Sequence, residues 1–150
     1  MKQPKKSKKE SLGMTVFSAM QRSISSVNSD VHKILGPLNI TVSQFGVLEA
    51  LHVYGPMYQR DLADQILKTT GNITTVIDNL EKRELVKRVR EVKDRRYFQV
   101  VLTPEGEKLI RRIFPTHVKR VQQVMDLLTT EEQEEFKRLC QKLVQAIEAK

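Results

Sequence analysis

The sequence is poor in the residues that build disulfides, metal sites and membrane spans. Its 150 residues include a single cysteine, Cys140, so the chain can form no intramolecular disulfide, which is typical of a reducing cytosol. No apolar run approaches the roughly 18 residues that a membrane span needs, and the basic start is not followed by the apolar stretch of a secretory signal. Three histidines match no metal-ligand spacing: His32, His52 and His117. We therefore expect a cytoplasmic protein that binds no metal ion and no other cofactor.

The motifs that mark common enzyme classes are also absent. The chain contains no HExxH, CxxC or GxSxG motif, no phosphate-binding loop and no dinucleotide fingerprint. No nucleophile with a neighbouring base can be proposed, so we predict no catalytic residues. The sequence does not support an enzyme.

Positive charge is in excess. Lys and Arg number 26 against 18 Asp and Glu, a net charge of +8. Residues 1–10 carry +4 of this excess and are too polar to pack, so we predict a disordered basic tail there. Residues 11–150 have the length of a single domain. A polyanion is the first partner to consider for a chain with this charge.

The apolar pattern of the first half predicts four helices. Apolar residues recur at three- and four-residue steps over about residues 12–35, which indicates a long amphipathic helix that Gly36-Pro37 ends. A capping box at Thr41–Gln44 opens a second helix. A fourth helix runs from about Gly71 to Arg83, again with helical apolar spacing. Between them, a short third helix is expected to bury Leu62, Ala63, Ile66 and Leu67.

The second half changes to a strand pattern and then returns to helix. Leu85–Val89 and Tyr97–Leu102 are rich in β-branched and aromatic residues and flank a charged stretch, which predicts a β-hairpin. Thr103-Pro104 opens a long helix that Pro115 should kink, and Thr129 caps the last helix.

The predicted fold is therefore mainly α with a small β-hairpin wing. We expect a winged helix-turn-helix core over about residues 38–103, flanked by long helices over about residues 12–35 and 103–149. These long helices carry more apolar surface than the small core can cover. A second copy would bury the surplus, so we expect them to be dimerisation helices of a homodimer.

The fourth helix offers short hydrogen-bonding side chains opposite its apolar face. An α-helix fits the major groove of DNA, and residues near its N-terminus usually contact the base edges. The candidates on this face are Asn72, Thr74, Thr75 and Asn79, with Lys82 further along. An ordinary solvated polar face is the alternative interpretation.

The hairpin region is strongly basic. Between Lys82 and Arg96 there are eight basic and three acidic residues, and exposed ion pairs contribute too little to folding to explain this excess. We predict a phosphate-facing surface whose tip arginines can enter a narrow minor groove. Asp94 lies two residues before Arg96, on the same side of an extended strand, where it can hold that guanidinium. The candidate wing and phosphate contacts are Lys82, Arg88, Arg90, Lys93, Asp94, Arg95 and Arg96. Alternatively, the charges only solubilise the hairpin and protect its edge.

Three segments of this region resemble the MarR family of winged helix-turn-helix transcriptional regulators. Thr69–Arg88 resembles the family's recognition-helix motif, Asp94–Arg96 matches its D-x-R wing element, and Leu102–Gly106 matches the L-T-x-x-G after the wing. The resemblance implies a cytoplasmic homodimer that binds a near-palindromic operator on double-stranded DNA, usually as a repressor. It implies that Arg96 enters the minor groove with Asp94 as its orienting partner. It also adds Thr69 and Thr70 to the major-groove face.

The resemblance further implies release from DNA by a small phenolic or other aromatic ligand, or by oxidation of a cysteine. The recognition segment looks most like the quinone- and catechol-responsive members. A pocket similar to the family's would lie between the long helices and the winged core, and its candidates are Phe17, His32, Phe45, His52, Tyr54, Phe114 and His117. Cys140 lies on the apolar stripe of the last helix, where we expect a packed and inert thiol.

Two positions depart from the family pattern. Glu84 stands just past the recognition helix, where the family normally has a glycine that permits a left-handed turn. Glu84 must therefore accept a strain of roughly 1–2 kcal/mol or turn differently. Tyr58 stands where the family usually has a small hydroxyl residue, so we expect a weak cap on the third helix.

The favoured function is a dimeric, sequence-specific DNA-binding regulator, a repressor that a small aromatic ligand releases. One alternative is a winged-helix protein-interaction module whose charged hairpin binds no DNA. Another is a non-specific DNA-coating protein that uses the basic tail.

Overall fold

A computed structural model of the chain describes residues 8–67, 69–91 and 97–149. The wing-tip candidates Lys93, Asp94, Arg95 and Arg96 lie outside the described residues, as do residues 1–7 of the predicted tail. Helix α1 spans Lys8–Val31, and a 3-10 helix follows at Lys33–Leu38. The remaining elements are α2 (Val42–Tyr54), β1 (Met57–Tyr58), α3 (Gln59–Gln65), α4 (Thr70–Lys82), β2 (Val86–Arg90), β3 (Phe98–Leu102), α5 (Pro104–Met125) and α6 (Thr130–Glu148). This confirms the mainly α fold with a small β wing.

Residues 34–123 form one compact unit, which we call the winged unit. Its core consists of the apolar side chains that the helical spacing turned inward, including the fully buried Phe45, Leu62, Ile73 and Ile77. Fully burying an apolar side chain of this kind contributes roughly 1.5–3 kcal/mol. Packing of this core therefore sets which face of α4 is left for solvent.

The three strands form an antiparallel sheet in the order β1-β3-β2. β2 and β3 pair from Val86–Leu102 to Arg90–Phe98, which is the predicted hairpin. β1 pairs with the other edge of β3, Met57 opposite Val100. The sequence pattern did not predict β1, because a strand of two residues is too short to show an alternating period.

Two predictions about the first half are corrected by the structure. α1 begins at Lys8, inside the predicted disordered tail, because lysine and glutamate are good helix formers. It ends at Val31, and the chain continues through Gly36-Pro37 as the 3-10 helix. Leu67 was expected to be buried but is 91% exposed. α3 has already ended at Gln65, and Leu67 adopts a left-handed φ of 55°, so it has left the helical phase that would turn it inward.

The start of α5 holds the turn after α4 by backbone contact. The Thr103 N–H donates to the Leu85 carbonyl at 3.1 Å, and its hydroxyl donates to the Glu84 carbonyl. The Gly106 N–H in turn donates to the Thr103 hydroxyl at 3.0 Å, which confirms the predicted cap. An ideal Cβ at Gly106 would lie 1.9 Å from the Leu85 carbonyl oxygen, so only glycine allows this close approach.

Glu84 adopts the left-handed conformation that glycine would take there. Its φ is 56°, and its N–H donates to the Glu81 carbonyl at 2.9 Å. Of the two expected outcomes, the structure therefore shows the strained one, in which a side chain occupies a left-handed turn.

The described parts of residues 1–33 and 124–150 form a second unit. The predicted cap of α6 is confirmed as a capping box, in which the Glu132 N–H donates to the Thr129 hydroxyl and the Thr129 N–H donates to the Glu132 carboxylate. Cys140 is half-buried.

Helices α1 and α6 of this second unit each expose an apolar stripe. The exposed side chains are Leu12, Val16, Phe17, Met20 and Ile24 on α1, and Phe136, Leu139, Leu143, Val144 and Ile147 on α6. Within the described residues, no helix is both long enough and apolar enough to cross a membrane.

Candidate nucleic-acid interface

Helix α4 presents a polar face because its opposite face is anchored in the core. Ile73, Ile77 and Leu80 are fully buried at the spacing of one helical stripe. Thr69 is the N-cap, and its hydroxyl accepts the N–H of Asn72 at 3.4 Å. The predicted base-contacting side chains on the opposite face are exposed: Asn72, Thr75 and Asn79, together with Lys82. Thr70 begins the helix, but its side chain is outside the description.

Thr74 differs from the other candidates because it is half-buried against α3. Its hydroxyl accepts a hydrogen bond from the side-chain amide of Gln59, in the first turn of α3. Gln59 was not among the predicted site residues. A single sequence carries no signal for this contact, because the two residues lie 15 positions apart on different helices.

Arg88 joins strand β2 to helix α4. Its guanidinium donates to Glu81 at 2.6 Å and to Asp78 at 2.7 Å, and Glu81 also accepts the Arg88 backbone N–H at 3.0 Å. A third contact, at 3.4 Å, reaches the side-chain oxygen of Gln59. The phosphate contact assigned to Arg88 from the sequence stays a prediction. The observed partners make Arg88 a residue that positions the wing strand β2 on helix α4.

The described part of the wing exposes further positive charge. Lys87 and Arg90 on β2 are exposed, and the Arg90 guanidinium lies 5.3 Å from the centre of the Phe98 ring on the paired strand. Arg83 instead donates to the carbonyls of Leu38 and Asn39, so it holds the end of α4 on the 3-10 helix region. Lys82, Lys87 and Arg90 are therefore exposed cations on α4 and β2, and the phosphate contacts assigned to Lys82 and Arg90 stay a prediction.

Tyr58 connects the start of α3 to the base of the wing. It is the N-cap residue of α3 and makes no side-chain capping bond, which confirms the weak cap. Its phenol donates to the Glu91 carboxylate at the end of β2, and its ring lies edge-on to Tyr97. The hydrogen bond to Glu91 raises the pKa of the Tyr58 phenol, because ionisation would place two negative charges side by side.

The structure brings four of the predicted ligand-pocket residues together as two ring pairs. Phe45 of α2 lies 4.6 Å, centre to centre, from His117 of α5, and His52 lies 5.3 Å from Phe114 in an edge-on contact. His52 also lies 3.5 Å from the Glu107 carboxylate, whose pKa is lowered first by Arg111 and then by His52.

The other three pocket candidates do not join these pairs. The Tyr54 phenol accepts a long hydrogen bond from Gln65 at 3.5 Å, and Phe17 and His32 belong to the second unit. The ring pairs pack α2 against α5, and a ligand pocket among them stays a prediction.

Comparisons with known proteins agree with this geometry. A model of the MarR family matches residues 40–98. The HTH-type transcriptional regulator MhqR of Bacillus subtilis (strain 168) is 31% identical over 121 residues, which cover 81% of this chain and 83% of MhqR. The S. aureus MepR–DNA complex superposes with a TM-score of 0.77 at 25% identity, covering 87% of this chain and 97% of that one. NadR in complex with 4-hydroxyphenylacetate superposes with a TM-score of 0.72 at 26% identity, covering 95% and 96%.

A relative at 31% identity spans most of both chains, and the family model covers α2, β1, α3, α4 and β2 and ends at the first residue of β3. The chain therefore belongs to the MarR family of winged-helix transcriptional regulators.

Proposed function

We propose that this protein is a homodimeric, sequence-specific repressor that binds a near-palindromic operator in the cytoplasm. The observation that carries the proposal is the exposed Asn72, Thr75 and Asn79 face of α4, next to the cationic strand β2. Short amides and hydroxyls at the start of a helix suit base edges, and exposed cations beside them suit phosphates. MepR, a structural relative, has been solved bound to DNA.

The exposed apolar stripes of α1 and α6 support the dimer. Ten large apolar side chains along two helices are a costly surface for a single chain, and a second copy with the same stripes would cover them. Two recognition helices related by a two-fold axis then require half-sites roughly 34–36 Å apart, one turn of B-DNA.

A small aromatic or phenolic ligand is the proposed effector. NadR was solved with 4-hydroxyphenylacetate, and the recognition segment resembles quinone- and catechol-responsive members of the family. The half-buried His52–Phe114 pair offers the aromatic surface and the polar group that such a ligand needs, and the Phe45–His117 pair lies buried beside the core. Because these rings join α2 to α5 inside the winged unit, a ligand there would shift these helices and lower operator affinity.

The test is selection of duplexes from a random-sequence pool, followed by anisotropy titration of the best duplex and a scrambled duplex at several salt concentrations. We expect an inverted repeat, a preference of about a thousandfold or more, and a steep loss of affinity with salt. If selection enriches no sequence and neither duplex binds in a salt-dependent way, the protein is instead a protein-interaction module. Equal affinity for both duplexes, lost when residues 1–10 are deleted, would indicate a DNA-coating protein.

A further inference from the structure

We propose that Gln59 is a specificity-determining positioning residue, which sets how the Thr74 side chain meets the base edges. The inference rests on the proposed function, since it concerns operator recognition by α4. Gln59 belongs to α3, is half-buried, and contacts Thr74 of α4 and Arg88 of β2 at once. It is therefore the residue at which the three elements of the DNA-reading surface meet.

The hydrogen bonds around Gln59 have only one possible polarity. A guanidinium only donates, so the side of the Gln59 amide that faces Arg88 must be its oxygen. The nitrogen then faces Thr74, and the Thr74 hydroxyl oxygen must accept. Arg88 is itself held by Asp78 and Glu81, whose carboxylates only accept. Each bond in the chain from the carboxylates to Thr74 thus fixes the direction of the next.

The bond to Gln59 decides which group Thr74 presents toward the groove. A threonine in a helix populates two χ1 rotamers, because its hydroxyl and methyl groups can exchange places. The bond from Gln59 holds the oxygen toward α3, so the opposite rotamer is disfavoured. Hydroxyl and methyl groups read different base edges, since a methyl prefers the methyl of thymine and a hydroxyl prefers a donor or acceptor. Loss of Gln59 should therefore change base preference more than it changes attraction to phosphates.

The experiment is a double-mutant cycle with Gln59→Met and Thr74→Val in the full-length protein. Methionine keeps the length of the side chain but has no donor for Thr74, and valine replaces the Thr74 hydroxyl with a methyl group of similar size. Gln65→Met is the matched control, since Gln65 is a glutamine of the same helix whose described contact is the exposed Tyr54 phenol. Each variant is titrated with the duplex selected by the wild-type protein and with its scrambled form. Thermal unfolding checks that each variant is folded.

We expect Gln59→Met to lower the preference for the selected duplex about three- to tenfold, the value of one hydrogen bond. Affinity for the scrambled duplex should stay within about twofold, because phosphate contacts are untouched. Gln65→Met should change neither value. The double variant should be no worse than Thr74→Val, because Gln59 acts through that hydroxyl.

Gln59→Glu gives a second readout. A carboxylate still accepts from Arg88 but cannot donate to Thr74, so the hydroxyl bond must reverse. Because the reversed bond still holds the Thr74 oxygen toward α3, reselection with this variant should return the wild-type operator.

Three results would overturn the inference: an unchanged preference in Gln59→Met, an equal loss for both duplexes, or an additive effect with Thr74→Val. Each of these leaves the proposed function standing as long as the wild-type protein prefers its selected duplex. If the wild-type protein shows no preference, the proposed function itself fails.

Discussion

Replacing Gly106 by alanine should destabilise the protein through a backbone clash rather than through a lost side-chain contact. The new Cβ would lie 1.9 Å from the Leu85 carbonyl oxygen and 2.9 Å from the carbonyl carbon, so α5 must retreat by about 1.5 Å to reach ordinary contact distance. Overpacking of this kind costs roughly 1–3 kcal/mol. The retreat also stretches the Thr103–Leu85 hydrogen bond, which contributes about 1 kcal/mol.

Alanine is the better helix former, and this offsets about 1 kcal/mol of that cost. The expected net loss is about 1–3 kcal/mol, which lowers Tm by roughly 2–12 °C in a chain of this size. Differential scanning calorimetry at one fixed protein concentration measures it. Gly71→Ala is the matched control, because a Cβ at this helical glycine meets no atom within 4 Å, and it should hold or raise Tm. A Gly106→Ala protein that melts within about 1 °C of the wild type would refute the reasoning.

Four further predictions concern one residue each. Glu84→Gly should raise the free energy of unfolding by about 1 kcal/mol in urea titrations, because glycine adopts the φ of 56° without strain; an unchanged midpoint would contradict it. Arg88→Met should cost about 1–2 kcal/mol, less than a fully buried pair, because its carboxylate partners are partly exposed; calorimetry measures this loss. Arg96→Ala should weaken operator binding in anisotropy titrations while sedimentation still shows a dimer; normal affinity would remove the role assigned by resemblance. Glu107 has a lowered pKa in the folded protein, so its stabilisation is present above its unfolded pKa and is lost as pH falls through the lower folded value; Glu107→Gln should therefore reduce the fall in Tm between neutral and acidic pH.

Much of the fold was predictable because its causes are local. The capping boxes at Thr41 and Thr129 depend on side chains three residues apart, and both form as predicted. The buried stripe of α4 follows from helical periodicity, so its polar face could be assigned before any tertiary contact was known. The strain at Glu84 was likewise a consequence of one residue type at one turn.

Other features depend on residues that are distant in the chain, and no local sequence pattern predicts them. Strand β1 exists because Met57 and Tyr58 meet the free edge of β3. The exposure of Leu67 depends on where the packing of α3 stops. The sequence marked Arg88 as a cation that could meet phosphate.

The sequence by itself determined the main helices, their caps, the β-hairpin wing and the excess of positive charge on the surface formed by α4 and β2. Only the tertiary structure decided which of these charges hold the surface together, placing Arg88 between Asp78, Glu81 and Gln59. The physical reason is that helical periodicity and capping act within a few residues, whereas an ion pair or a strand edge is satisfied by whichever partner folding brings within about 3 Å.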